Sequence, residues 1–332
     1  MISVESQVLQ RHLAFFEDKS VLFAGCLTDA FPAQLKKSRS VKAISCYYDY
    51  VRNMKSAVET EFCIENRHDA DLIVYYWSKN KQEVVFQLMQ LLAQAPLGQE
   101  LLLIGENRSG VRSAEKILQP FGDIHKIDSA RRCGLYRFQL RQKPHFDLSA
   151  YWKSYRHPQL PELTVYSLPG VFSAGELDQG TALLLSTLTD KIQGRVLDLG
   201  CGAGVIGSYL KRQNPSLELV MSDIHAMALA SAERTLAENR LAADVVASDV
   251  FSDISGKFNL IISNPPFHDG IDTAYRAVQE LVRQSKWFLR QGGELRIVAN
   301  AFLPYAQWLD GEFGSHRVLA KTNKFKVYAV SA

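Results

Sequence analysis

The chain repeats itself across most of its length, and the repeat decides what it can fold into. SVLFAGCLTDAFPAQL (20–35) reads as a worn copy of GRVLDLGCGAGVIGSYL (194–210), with Val21-Leu22 matching Val196-Leu197 and Gly25-Cys26 matching Gly200-Cys201. ADLIVYYWSKNK (70–81) then aligns with FNLIISNPPFHD (258–269), and GQELLLIGEN (98–107) with GGELRIVAN (292–300). CGLYRFQL (133–140) sits where KFKVYAVS (324–331) closes the chain. The order and spacing are kept, so the sequence describes a duplicated domain. A length of 332 residues suits two domains.

Each half alternates short apolar runs with helical stretches, such as 225–239 and 272–290. That alternation predicts an α/β fold, doubly wound, with mostly parallel strands and helices on both faces. The segments 123–141 and 315–331 predict an antiparallel edge pair at the end of each half. The expected division is 1–143 for the first domain and 171–332 for the second. The connecting 144–170, rich in Pro, Tyr and Trp, is too apolar for a free tether and should pack on the domains.

Several function classes drop out on composition. No apolar run reaches the length of a membrane span, and MISVESQVLQRH has no signal-peptide core, so a cytoplasmic protein is expected. Five cysteines without a CxxC pair predict reduced thiols, and eight histidines without HExxH spacing predict no metal site. The net charge is only +3, but 105–143 holds nine basic residues against four acidic ones. Arg108, Arg112, Arg131 and Arg132 in that stretch are candidates for contact with a polyanion, against the plainer reading of a solvated face.

The two copies differ where chemistry would sit. Asp198 is answered by Phe23, Gly202 by Leu27 and Gly204 by Asp29, while Asn264-Pro265-Pro266-Phe267 is answered by Tyr76-Trp77-Ser78-Lys79. Only the second half can be catalytic. There, strand 196–199 runs into Gly200, Gly202 and Gly204, a turn where a ligand can approach the backbone because glycine lacks Cβ. Gly202 to Gly207 also satisfies GxGxxG, the dinucleotide pattern. Asp198 argues against that ligand, since a pyrophosphate would meet a negative charge. A carboxylate there suits an ammonium group. Asp223, about 20 residues past the loop, is placed for ribose hydroxyls, and Asp249 at the next strand end for an adenine amine. Singly, each reads equally well as a turn or capping aspartate.

LIISNPPFHDG (260–270) completes the pattern. Pro265 and Pro266 stop a buried strand and force a rigid extended loop. The Asn264 amide oxygen and the Pro265 carbonyl can accept the two protons of an exocyclic amine, and Phe267 can stack on a flipped base. DLGCGAG with NPPF resembles the class I S-adenosylmethionine-dependent methyltransferases that act on exocyclic amines. Together with PGVFS (169–173), ENRSGVRSAEK (106–116) and DSARRCGLY (128–136), the whole chain is similar to the ribosomal RNA small subunit methyltransferase C family.

The resemblance implies two tandem Rossmann-like methyltransferase domains, of which the first is degenerate and holds RNA. It implies S-adenosylmethionine as cofactor, bound by Asp198, Gly200, Gly202, Gly204, Asp223, Asp249 and Asn264, and catalysis by Asn264, Pro265 and Phe267. The implied reaction is methylation of N2 of guanine 1207 of 16S rRNA in the 30S particle. A monomer is expected, although the sequence does not fix the oligomeric state. Two other readings stay open on the residues alone. One is amine methylation of another substrate: a different rRNA guanine, DNA adenine or protein glutamine. The other is an RNA-binding protein without activity.

Overall fold

The structure is a computed structural model and describes residues 2–188, 192–265 and 271–332. The chain forms two compact units, Met1–Tyr151 and Trp152–Ala332. The first contains seven strands: β1 (Ser20–Gly25), β2 (Ser40–Ser45), β3 (Glu59–Phe62), β4 (Leu72–Tyr76), β5 (Glu100–Glu106), β6 (Gly122–Ala130) and β7 (Cys133–Leu140). They lie in the order β3-β2-β1-β4-β5-β7-β6, and β7 runs antiparallel to both its neighbours. The second unit opens with a small hairpin of β8 (Lys153–Tyr155) and β9 (Val165–Ser167). Its sheet is built from β10 (Arg195–Leu199), β11 (Glu218–Asp223), β12 (Asp244–Ala247), β13 (Phe258–Ser263), β14 (Leu289–Asn300), β15 (Arg317–Lys321) and β16 (Phe325–Ser331). The order β12-β11-β10-β13-β14-β16-β15 repeats that of the first sheet strand for strand.

Register bears out the internal alignment. Val21 pairs with Leu72 in the first sheet, and Val196 with Leu260 in the second. Only the last block needs correcting. Glu100 faces Gln139 where Glu294 faces Ser331, so Cys133 corresponds to Phe325 and not to Lys324. A slip of one residue would turn every side chain of the closing strand to the wrong face.

The apolar runs lack alternation because both faces are covered. In β1, Leu22 and Ala24 join one core cluster and Val21 and Phe23 the other. In β4, Ile73 and Tyr75 face the first cluster, and Leu72, Val74 and Tyr76 the second. This is the pattern of a parallel sheet between two helical layers.

The connecting segment divides at the unit boundary. Phe146 and Tyr151 pack edge-on against Phe86 at 5.4 and 5.1 Å in the first unit. In the second, Thr164, Tyr166 and Leu168 donate their N–H groups to Asn239, Thr235 and Ser231 at 3.0, 2.9 and 3.0 Å. Alternate residues along β9 and its two flanking positions meet every fourth residue of the helix Ala226–Glu238 and its C-cap. The repeats match, since two strand residues span about 6.7 Å and four helical residues about 6 Å. Arg234 then lies over the rings of Trp152 and Tyr166 at 4.5 and 5.2 Å.

Candidate active site

In an open α/β sheet, ligands bind beyond the strand ends where the strand order reverses. In the second unit that point lies between β10 and β13. The hydroxyl of Ser263 donates to the Leu199 carbonyl at 2.7 Å, fastening the strand end that leads to Asn264 to the one that leads to the glycine loop. Gly200 and Cys201 donate to the Ser222 carbonyl at 2.8 and 2.9 Å, and Gly202 donates to Asp223 Oδ2 at 2.9 Å. Gly204 donates to the Cys201 carbonyl at 2.8 Å. These four amides are therefore spent inside the protein. What glycine supplies is the path, with Gly202 and Gly204 at φ of 53° and 80°, and room. A Cβ on Gly200 would meet nothing within 4 Å, and one on Gly202 only the Phe172 carbonyl at 3.9 Å. The PGVFS segment is thereby brought to the loop, with the Phe172 ring half-exposed.

Asp198 is fully buried in β10. Its Oδ2 accepts the Gly207 N–H at 2.8 Å, while Oδ1 has no partner among the described residues. Burial pushes this carboxyl up to about 7, the Gly207 N–H opposes the rise, and the neighbouring Asp223 adds to it. A buried, half-satisfied acid of this kind is a receptor for a cation or an ammonium group. Asp223 closes β11 and accepts from Gly202 and His225, both at 2.9 Å. Burial raises its pKa against those bonds. A carboxylate has about four lone-pair sites, so two remain for hydroxyl donors. Asp249 lies two residues past β12, partly buried.

Asn264 follows β13 and is 9% exposed. Its Nδ2 donates to Asp178 Oδ2 at 3.1 Å and to Thr181 Oγ1 at 2.9 Å. Its Oδ1 is buried and accepts no hydrogen bond among the described residues. A carboxylate oxygen can only accept, so the amide nitrogen must face Asp178. Reversing the amide would break the bond to Asp178 and set two oxygens together, at a cost on the order of 2 kcal/mol or more, and would oblige the Thr181 hydroxyl to turn from acceptor to donor. Asp178 and Thr181 escape a reading of the sequence because they stand 86 and 83 residues before Asn264. The one signal, Asp-x-x-Thr in GELDQGT, reads locally as a helix start. Pro265 is buried beside Asn264; Phe267 lies outside the described residues.

The chain matches the methyltransferase small domain over residues 162–329 and the methyltransferase small domain N-terminal model over 6–155. It is 69% identical over 330 residues to ribosomal RNA small subunit methyltransferase C of Pasteurella multocida, covering 99% of each chain. It is 66% identical over 331 residues to the protein of that name from Haemophilus influenzae strain Rd, again with 99% of each chain covered. The chain belongs to the ribosomal RNA small subunit methyltransferase C family.

Among solved structures, the T. thermophilus 16S rRNA N2 G1207 methyltransferase, in complex with AdoMet and guanosine, superposes with a TM-score of 0.85 at 23% identity. The match covers 99% of this chain and 92% of that one, and the two share their fold. In the first unit Gly25 keeps the place and the positive φ of Gly200, but the polar groups of the site just described are gone. Phe23, in the place of Asp198, packs with Phe16 and Phe31 at ring distances of 6.4 and 6.2 Å. Asp29, in the place of Gly204, accepts from Ser3 N, Ser6 Oγ and Phe31 N at 2.6, 3.1 and 2.9 Å. Tyr76, in the place of Asn264, bonds Ser6 Oγ at 2.7 Å. The helix Val4–Leu9 thus closes the crevice from within. What is left is a shallow cleft where Ser45 and Ile64 stand in the register positions of Asp223 and Asp249.

Among the candidate RNA contacts, Arg108 pairs with Glu106 at 2.7 Å. Arg131 and Arg132 form the two-residue turn between β6 and β7, both exposed and both at positive φ (50° and 61°). Neither guanidinium, nor that of Arg112, has an ion-pair partner among the described residues. Arg137 and Arg141, by contrast, pair with Glu100 and Asp123.

Proposed function

We propose that the second unit transfers a methyl group from S-adenosylmethionine to N2 of a guanine in 16S rRNA, at position 1207, and that its substrate is the 30S particle. The observation that carries this reading is the buried Oδ1 of Asn264, without a partner among the described residues, beside Pro265 at the strand-order switch. The residues present fit the cofactor. Asp198 Oδ1 is free for its ammonium group, Asp223 keeps lone pairs for ribose hydroxyls, Asp249 suits the adenine amine, and Gly200 and Gly202 leave room beside them.

Once bound, S-adenosylmethionine supplies an electrophilic methyl carbon on a positively charged sulfur. A guanine amine is a weak nucleophile because its lone pair is delocalised into the ring. Asn264 Oδ1 and the Pro265 carbonyl accept its two protons, which draws the nitrogen towards tetrahedral geometry and frees the lone pair. They also stabilise the positive charge that develops there. S-adenosylmethionine held there would supply the methyl carbon and take up the electron pair of its carbon–sulfur bond, and the methylated amine would lose one proton to water. Phe267 is assigned the flipped base as a stacking partner.

Arg112, Arg131 and Arg132 of the first unit are assigned phosphate contacts, with Arg108 in reserve behind its ion pair. A monomer suffices for all of these roles. The test is single-turnover transfer of labelled methyl to 30S particles lacking the modification, followed by nucleotide mapping. Label on N2 of guanine 1207 is expected, and Asn264→Ala should slow its appearance by about a hundredfold or more with cofactor affinity nearly unchanged. Label elsewhere would refute the substrate assignment. A slowing of under about threefold would refute the role of Asn264.

A further inference from the structure

We infer that Asp178 and Thr181 are positioning residues for methyl transfer, holding the Asn264 amide in the one orientation that leaves its oxygen for the substrate amine. The inference rests on the role proposed for Asn264 above. An asparagine amide turned by half a rotation would present N–H donors to an amine that itself has protons to give, and the site would repel its substrate. Within Asn264 nothing prevents that rotation. The Asp178 carboxylate, which can only accept, does prevent it, and the Thr181 hydroxyl in the first turn of the helix Gln179–Ser186 holds the amide nitrogen against it.

The acceptors are themselves fixed. Asp178 caps the helix, and its Oδ2 accepts the Thr181 N–H at 2.8 Å as well as the Asn264 amide. Thr181 is 4% exposed, so its hydroxyl is removed from competing water. A Cβ on Gly180 would come within 3.0 Å of Asp178 Oδ2 and 3.3 Å of the Phe325 ring, so the residue between them has to be small for the carboxylate to keep this place.

The worn copy supplies an independent comparison. The interval that relates Gly25 to Gly200 also relates Ser3 to Asp178 and Ser6 to Thr181. Ser3 caps the helix Val4–Leu9 through the Ser6 N–H at 3.2 Å, and the Ser6 hydroxyl bonds Tyr76, the counterpart of Asn264. Both copies therefore hold the residue at the end of the strand beside the glycine-turn strand, Tyr76 at β4 and Asn264 at β13, by a hydroxyl at the same helical position. Only the copy with an asparagine to orient has a carboxylate as its cap.

Thr181→Val removes one acceptor with little change of shape, and Asp178→Asn keeps a helix cap while ending the acceptor-only character of the side chain. Single-turnover methyl transfer to 30S particles and calorimetric cofactor affinity are measured for each, for the double variant, for Thr181→Ser and for Asn264→Ala. Each single variant should fall about tenfold in rate, or 1.4 kcal/mol, and the double variant further. Thr181→Ser should recover to within about threefold of the unmodified protein, and cofactor affinity should stay within about twofold in the Asp178 and Thr181 variants. If the double variant keeps its rate while Asn264→Ala does not, the positioning role is wrong and the role of Asn264 stands. If Asn264→Ala also keeps its rate, both fall. A parallel drop of rate and cofactor affinity in Thr181→Val would make these residues structural and overturn the inference.

Discussion

Asp198 is the residue at which binding and stability pull in opposite directions. Its folded pKa, about 7, lies above the value near 3.9 of an unfolded aspartate. The proton it holds therefore favours the folded state below about pH 4, and that contribution is lost as pH rises through about 7. Cofactor binding has the opposite sign, because an ammonium group needs the ionised carboxylate. Affinity should rise as pH climbs towards about 7, and binding below that pH should release a proton. Asp198→Asn should flatten the decline in melting temperature between about pH 4 and pH 7 and should bind the cofactor at least about tenfold more weakly. An unchanged pH profile of stability would show that Asp198 does not titrate in this range. Asp198 and Asn264 were legible in the sequence because an acid inside a buried strand and an amide before two prolines are costly unless used. Asp178 and Thr181 were not, since a helix cap and a helical threonine cost nothing locally and their purpose emerges only when distant segments meet.

Among the elements, the hairpin of β6 and β7 departs most plainly from local preference. A two-residue turn with positive φ at both positions favours Asn-Gly, and here it is Arg131-Arg132. Strain held at an exposed turn, with no ion-pair partner for either side chain among the described residues, is what a contact site would keep. Replacing the pair by Asn-Gly should stabilise the first unit by on the order of 1 kcal/mol, raising its melting temperature by roughly 2–4 °C. The same variant should bind 16S rRNA more weakly, with the salt slope shallower by up to about 0.9 for each phosphate no longer neutralised. A gain of stability with an unchanged salt slope would remove these arginines from the RNA surface. The antiparallel pair was legible from its position at the end of each half, but the turn geometry was not. Two arginines carry no turn signal, and the conformation is imposed by the Ala130–Cys133 pairing on either side.

At the scale of the whole molecule, duplication explains why one strand order occurs twice while the site occurs once. A core of apolar strands tolerates exchange of one hydrophobic residue for another, so both halves kept the order that reverses between the first and fourth strands. A ligand loop tolerates far less. Leu27 and Asp29 lie outside the left-handed region that Gly202 and Gly204 occupy, and Phe23 fills the position of the acid. The decay of the first site was readable residue by residue in the sequence. That the helix Val4–Leu9, in the same place as Gln179–Ser186, plugs the crevice through Ser3, Ser6 and Asp29 was not, because nothing in those residue types marks the contact. With one crevice plugged and one intact, the full chain must bind its cofactor once. Calorimetric titration of the intact protein with S-adenosylmethionine should give a stoichiometry of about one per chain, with heat that collapses in Asp198→Ala; two sites per chain, or one that survives that substitution unchanged, would contradict it.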